Sequence, residues 1–302
     1  MIESNDRVVA CVGVFDGVHR GHRTLIDAAR KIADDAGLPL VAITFFPHPA
    51  VVLRPDAIPA QIATLDDRIA LLTEAGADDV EVIDFTADYA HITPAEFIDD
   101  ALVERMNAAH VIVGENFRFG RKAAGTPDLL ITECAARGIT AHVVPVAADS
   151  APWSSTRIRR LVTNGEVQDA AEVLGRHFSL TGTIVHGDHR GRELGYPTAN
   201  LETAPGLLVP ADGVYAGWLD AAGERFPAAI SVGTNPQFHG AELRIEAFCI
   251  DRHGLDLYDM QARVSFVRRL RSQAVFESLQ EFLDQMALDV EQARFVLDVP
   301  MA

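Results

Sequence analysis

Five short apolar runs, at residues 8–14, 40–45, 80–83, 110–113 and 142–146, alternate with amphipathic segments of helical length at 24–36, 65–75, 94–106 and 127–137. A chain that repeats strand and helix in this way has few options: the strands lie parallel and the helices cover both faces of the sheet. Such a sheet takes its ligands outside the carboxyl ends of its strands. Two shorter helical segments, 156–163 and 166–174, follow on either side of Asn164-Gly165. From Phe178 the pattern changes. Runs at 180–186, 213–220, 228–232 and 244–250 are divided by glycine, proline and asparagine, which is the texture of an antiparallel barrel. A final amphipathic segment spans 275–297, and its stripe of Phe276, Leu279, Phe282, Leu283, Met286 and Val290 is expected to pack on that barrel. The expectation is an α/β module over 1–177 and a β-barrel module with a terminal helix over 178–302.

Composition narrows the classes of function. The chain has 302 residues, 48% of them apolar and 23% charged, which suits a soluble globular protein of two cores. No apolar run reaches the eighteen or so residues needed to span a bilayer, and the opening MIESNDR lacks the pattern of a secretory signal, so no membrane partner is expected. Cys11, Cys134 and Cys249 are odd in number and far apart, which points to a reducing cytoplasm. A net charge of −17 argues against broad nucleic-acid binding. It leaves room for a small anion held by a few local donors.

The stretch GVFDGVHRGH, residues 13–22, follows the first apolar run and leads into the first helix. A strand that passes through a glycine-rich turn into a helix aims backbone N–H groups and the positive helix end at one point. His19 and His22 are three apart and share a face once the helix has begun. Two imidazoles there can donate to phosphate oxygens and counter the charge that builds up when a nucleotide α-phosphate is attacked. Gly17 and Gly21 would let a nucleotide approach the backbone closely. Two other readings stand beside this one: a histidine pair that caps or packs, and a metal site with Asp16 as third ligand. The strand–turn–helix context favours phosphate. A second stretch, SSTRIRRL at 154–161, places hydroxyls and arginines at a helix start, where Ser155 and Thr156 can cap or bind phosphate and Arg159 can reach a β- or γ-phosphate. By itself such a segment is an ordinary capped helix.

In the second half, GTIVHGDHRGRELGYPTANL at 182–201 joins a β-run to a loop rich in glycine and arginine. Glycines such as Gly187 permit close approach, and Arg190 and Arg192 bring positive charge for phosphates. Thr198 and Asn200, two apart in an extended strand, face one side and offer a hydroxyl and an amide oxygen, hard ligands for the Mg²⁺ that accompanies ATP. The alternative is a polar turn with Asn200 ending a strand.

These motifs together resemble a known family. GVFDGVHRGH with SSTRIR, TFFPHP at 44–49 and VGENFRFG at 113–120 look like the adenylyltransferase module of prokaryotic bifunctional riboflavin kinase/FMN adenylyltransferases, also called FAD synthetases. The segment 182–201, with GVYAGW at 213–218, VGTNPQF at 232–238 and the stretch 244–258, resembles their riboflavin kinase module. The resemblance covers essentially the whole chain. It implies a Rossmann-like nucleotidyltransferase module and an antiparallel kinase barrel, with riboflavin, FMN, FAD and ATP as partners and Mg²⁺ accompanying ATP. It implies that His19, His22, Gly13, Phe15, Gly21, Asn116, Ser155, Thr156 and Arg159 handle the first ATP. Phe45, Pro47, His48, Pro49 and Arg271 are implied in flavin binding. Gly187, Arg190, Thr198 and Asn200 are implied in the second ATP site, with Glu246 as the base for the ribityl hydroxyl. Taken alone, Glu246 reads as a strand residue on a solvated face. The chain departs from the family at Asp259, where glycine is usual, and at Gln273 and Val275, where acidic and basic residues are usual; only twelve residues precede Gly13. Two rival functions remain: a nucleotidyltransferase with another acceptor, and a flavin-binding regulator without catalysis.

Overall fold

The computed structural model describes residues 7–145, 151–187, 196–234, 243–252 and 254–300. Contacts divide the chain into two units, residues 1–61 with 65–155, and residues 62–64 with 156–302.

In the first unit the order is β1 (Val8–Val12), α1 (Arg20–Ala36), β2 (Leu40–Phe46), α2 (Pro49–Leu53), α3 (Leu65–Glu74), β3 (Asp79–Asp84), α4 (Pro94–Phe97), β4 (Ala108–Gly114), α5 (Pro127–Ala135) and β5 (Thr140–Val144). The strands form one sheet in the order β3-β2-β1-β4-β5, every pair parallel. Central β1 is buried along its whole length, because alternate residues enter different cores. Ala10 and Val12 join Phe97, Leu102 and Leu130 on one face, whereas Val9 and Cys11 join Ile26, Ala29 and Leu72 on the other. The helix expected over 94–106 is α-helical only from Pro94 to Phe97, where Thr93 and Glu96 form a reciprocal cap; Ile98–Glu104 continues as a π-helix.

The second unit carries α6 (Ser155–Thr163, whose first residue belongs to the first unit), α7 (Val167–Leu174), β6 (Phe178–Val185), β7 (Thr198–Thr203), β8 (Gly213–Ala221), β9 (Glu224–Thr234), β10 (Leu243–Cys249), β11 (Gln261–Arg271) and α8 (Leu279–Val296). Its six strands close into an antiparallel barrel, β10-β7-β6-β11-β8-β9. Closure removes sheet edges and leaves an interior filled by side chains such as the stacked Phe178 and Phe266.

Two elements differ from the sequence reading. β11 is absent from it, because register shifts between Phe266 and Arg268 and between Arg269 and Arg271 interrupt the alternation that marks a strand. The last helix starts at Leu279 rather than 275, since Ser278 caps it by accepting from the Glu281 N–H. Of its apolar stripe, Leu279 is exposed, while Phe276, Phe282, Met286 and Val290 line a cavity; Ala293 and Leu297 make the buried contact with the barrel.

Barrel closure depends on Gly217 in β8, where a Cβ would lie 2.0 Å from the Ser265 carbonyl oxygen and 2.4 Å from Ile230 Cδ1. Gly217→Ala is expected to destabilise the barrel by about 1–3 kcal/mol through overpacking. Thermal unfolding tests this, and an unchanged Tm would show that β8 and β11 can separate at no cost.

Candidate functional site

In the first unit the site is built on the turn between β1 and α1. Phe15, Gly17 and Val18 adopt positive φ values of 54°, 82° and 36°. Only Gly17 takes such a φ without steric penalty. The turn swings His19 into the N-cap of α1, where its Nδ1 accepts the His22 N–H at 3.3 Å. The two imidazoles then stack with centroids 3.7 Å apart, and Phe15 braces His22 edge-on at 5.2 Å. Since Nδ1 of His19 accepts, a neutral ring carries its proton on Nε2. Ser155 Oγ donates to the Asp16 carbonyl at 3.0 Å, tying the second motif to the turn.

The turn opens on a cavity of about 640 Å³, within the range of small-molecule sites. It gathers Gly13, Phe15, His19, Gly21, His22, Phe45, Pro49, Asn116 and Ser155 of the expected residues. Pro47 and His48 do not line it; His48 instead caps α2, its Nδ1 accepting the Ala50 N–H. Thr156 and Arg159 continue α6 in the second unit. Glycine at 21 is needed for local packing, because a Cβ there would lie 3.1 Å from both the His19 ring and the Trp153 carbonyl oxygen. Among the described residues no three His, Cys, Asp or Glu side chains converge to hold a metal.

Sequence reasoning missed most of the cavity wall. Phe85, Tyr89, Phe97, Phe117 and Phe119 join Phe45 there. Phe45 meets Phe85 edge-on at 5.9 Å, and Phe117 stacks on Phe119 at 5.4 Å. The cations Arg118 and Lys122 line the same space. One signal was available: aromatic residues stand at or just past the ends of β2, β3 and β4, the side on which a parallel sheet binds ligands. The arrangement can take a flat apolar ring against the wall and an anion near the imidazoles.

In the barrel, β-register places Glu246 of β10 between Asn200 of β7 and Ser231 of β9. Thr198 and Glu246 line one cavity with Arg244, Arg271, Gln273 and Phe276. A Cβ on Gly187 would lie 2.5 Å from Asn200 Nδ2, so the chain after β6 passes directly over that amide. Hydroxyl, amide oxygen and carboxylate thus belong to neighbouring strand positions, a donor set suited to a hard divalent cation brought in with a nucleotide. Arg190 and Arg192 lie outside the described residues.

The guanidinium of Arg271 is held by Asp289 of α8, with Nε 2.9 Å from Oδ1 and Nη2 2.7 Å from Oδ2. Asp289 is 4% exposed and also accepts from Gln285. Gln273 donates to Ser231 Oγ and the Val232 carbonyl, both at 3.1 Å. Val275 is exposed, and Asp259 has φ 59°, the left-handed region where glycine is at ease.

Residues 1–157 match the FAD synthetase family and residues 174–297 the riboflavin kinase family. The chain is 33% identical over 288 residues to the bifunctional riboflavin kinase/FMN adenylyltransferase of Listeria monocytogenes, covering 95% of this chain and 91% of that one. It is 32% identical over 290 residues to the enzyme of the same name from Escherichia coli, again covering 95% and 91%. The chain belongs to the bifunctional riboflavin kinase/FMN adenylyltransferase family. A crystal structure from Streptococcus pneumoniae named as a macrolide-efflux protein is 33% identical, with a TM-score of 0.87 over 97% of this chain and 95% of that one. In the present member of the riboflavin kinase/FMN adenylyltransferase family, no helix among the described residues is long and apolar enough to cross a membrane. The histidine pair and aromatic wall fall within the FAD synthetase match, and the Glu246 cavity within the riboflavin kinase match.

The Asp289 clamp yields a prediction. Asp289→Asn leaves Arg271 without its counter-charge, and breaking a buried pair by removing one partner costs about 3 kcal/mol. Thermal unfolding should show a loss of that order, whereas a change below about 0.5 kcal/mol would mean that the pair is merely solvated.

Proposed function

We propose that the barrel unit phosphorylates riboflavin to FMN and that the sheet unit adenylylates FMN to FAD, with Mg²⁺-ATP as a substrate of each reaction. The observation that carries the adenylylation assignment is the stacked histidine pair at the start of α1, opening on an aromatic-walled cavity. Glu246 in register with Asn200, and sharing a cavity with Thr198, supports the phosphorylation assignment.

In adenylyl transfer the isoalloxazine lies against Phe45, Phe85 and Phe97, and ATP lies over the turn with its phosphates toward His19 and His22. An FMN phosphate oxygen attacks the α-phosphorus and pyrophosphate leaves, with no covalent enzyme intermediate. His19 and His22 donate to the oxygens on which charge grows, and the backbone N–H groups of the first turn of α1 add to their effect. Asn116 and Ser155 position the nucleotide. Burial pushes the Cys134 and Cys249 thiols up to about 11, and that of Cys11 higher still, so no cysteine serves as a nucleophile. Free and buried thiols suit a reducing cytoplasm.

In phosphoryl transfer Glu246 takes the proton of the ribityl 5′-hydroxyl, whose oxygen attacks the γ-phosphorus as ADP leaves. Thr198 and Asn200 hold the Mg²⁺ that arrives with ATP. Phe276, Phe282 and Met286 offer the apolar surface for the flavin, and Arg271, fixed by Asp289, closes its edge.

Incubation with riboflavin and Mg²⁺-ATP, followed by chromatography, tests the whole reading. FMN and then FAD should accumulate, and flavin binding without turnover would favour a regulator. His22→Ala should slow FAD formation from FMN by about 10²–10³-fold, the usual effect of losing one such donor. Riboflavin phosphorylation should continue, and equal loss of both activities in a folded variant would overturn the two-site assignment. Glu246→Gln should slow FMN formation by about 10²–10⁴-fold while FAD formation from supplied FMN persists. A normal phosphorylation rate would reduce Glu246 to a strand residue.

A further inference from the structure

The first unit hides a charge that the mechanism above does not use. Arg68, on α3, is fully buried and is the largest side chain so enclosed. Its Nη1 donates to the Phe45 carbonyl at 3.0 Å and to Thr44 Oγ1 at 3.2 Å. Thr44, itself fully buried, donates its hydroxyl to the Val14 carbonyl at 2.9 Å. One guanidinium thus ties α3 to the end of β2 and, through a single hydroxyl, to the turn that carries the histidines. Asp16 of that turn is 2% exposed, and its charge works against burial, which still lowers the pKa of Arg68.

This arrangement is expensive. Among the described residues, Nε and Nη2 of Arg68 have no hydrogen-bond partner. Burying a guanidinium with unmet donors destabilises a fold, and a leucine would fill the place better, as Leu71 and Leu72 do further along the same helix. Such a breach of packing rules in a well-formed core marks a position kept for function. Its contacts lead to the two strand ends that bear the site: directly to Phe45 in the aromatic wall, and through Thr44 to Val14 before the imidazoles.

We propose that Arg68 is a positioning residue for adenylyl transfer, fixing the turn that begins at Val14 through Thr44, so that His19 and His22 meet the reacting phosphate. The inference rests on the sheet unit adenylylating FMN. Misplacing catalytic donors by about 1 Å can cost on the order of 10²-fold.

The test is a double-mutant cycle of Arg68→Met and His22→Ala, with kcat and KM measured for FMN adenylylation and riboflavin phosphorylation followed in the same preparations. Arg68→Met should lower kcat for adenylylation by about 10–100-fold with KM values for ATP and FMN shifting less than about threefold, and phosphorylation unchanged. In the His22→Ala background the same substitution should cost clearly less than in the wild type, because only the His19 imidazole is then left to be misplaced. Losses that simply multiply would overturn the proposal, as would an unchanged kcat in folded Arg68→Met. A purely structural role would lower both backgrounds alike. Should Arg68→Met not fold, Thr44→Val, nearly isosteric and lacking only the linking hydroxyl, replaces it in the cycle with the same criteria. Wild-type enzyme that makes no FAD would defeat the assignment of the sheet unit itself, a result distinct from any outcome of the cycle.

Discussion

Everything in the first site hangs on the backbone between Val12 and Arg20. Two residues with side chains, Phe15 and Val18, hold left-handed φ values, and each such residue costs about 1–3 kcal/mol. Both side chains are fully buried in the core shared with α1, and burying a phenylalanine or valine returns about 1.5–3 kcal/mol. The two magnitudes nearly cancel. A turn that gains so little from its own shape is held by what surrounds it, and here that is α1 on one side and the Arg68–Thr44–Val14 chain on the other. What the shape secures is the position of His19, half in the helix and half out, with its imidazole fixed by the His22 N–H.

The two units solve one electrostatic problem with different backbones. A chain of net charge −17 has to hold two polyphosphates. Among the described residues, each site draws on a few local groups. The sheet unit gathers a helix start, two imidazoles, Arg118 and Lys122 at the carboxyl ends of its strands, where a few aligned dipoles act over a short distance. In the barrel, polar oxygens stand on neighbouring strands, where a divalent cation can carry the positive charge in with the nucleotide. Local donors outweigh net charge because the field of a distant surface carboxylate is screened within about 10 Å at ordinary ionic strength.

How much of this the sequence disclosed depends on how local each feature is. The parallel sheet was legible because its central strands β1, β2 and β4 are largely buried and read as continuous apolar runs. His19 and His22 were legible because strand, turn and helix are consecutive in the chain. β11 was not, since its two register shifts destroy the period on which strand reading rests. The aromatic wall draws on β2, β3 and β4 and on the loops that follow them, so its members are scattered until the sheet assembles. Arg68 was invisible for a similar reason: on an amphipathic helix beside Asp66 and Asp67, an arginine reads as surface charge. The Arg271–Asp289 clamp spans eighteen positions between a strand end and the middle of a helix, and no periodicity announces it.

That clamp also bears on how a barrel can keep a working base. Glu246 and Arg271 line the same cavity, and a carboxylate tightly paired with a guanidinium loses affinity for the proton it is meant to take. Asp289 takes up the charge of Arg271. It lies against Arg271 with both oxygens, is itself steadied by Gln285, and is nearly closed off from solvent, so the pair is a geometric unit rather than a loose surface contact. Gln273 works to the same end without charge, since its amide reaches Ser231 and the Val232 carbonyl, next to the strand position that faces Glu246. In this loop the present chain uses a neutral donor. A neutral donor secures the loop and leaves the carboxylate the only anion of β10 facing the cavity.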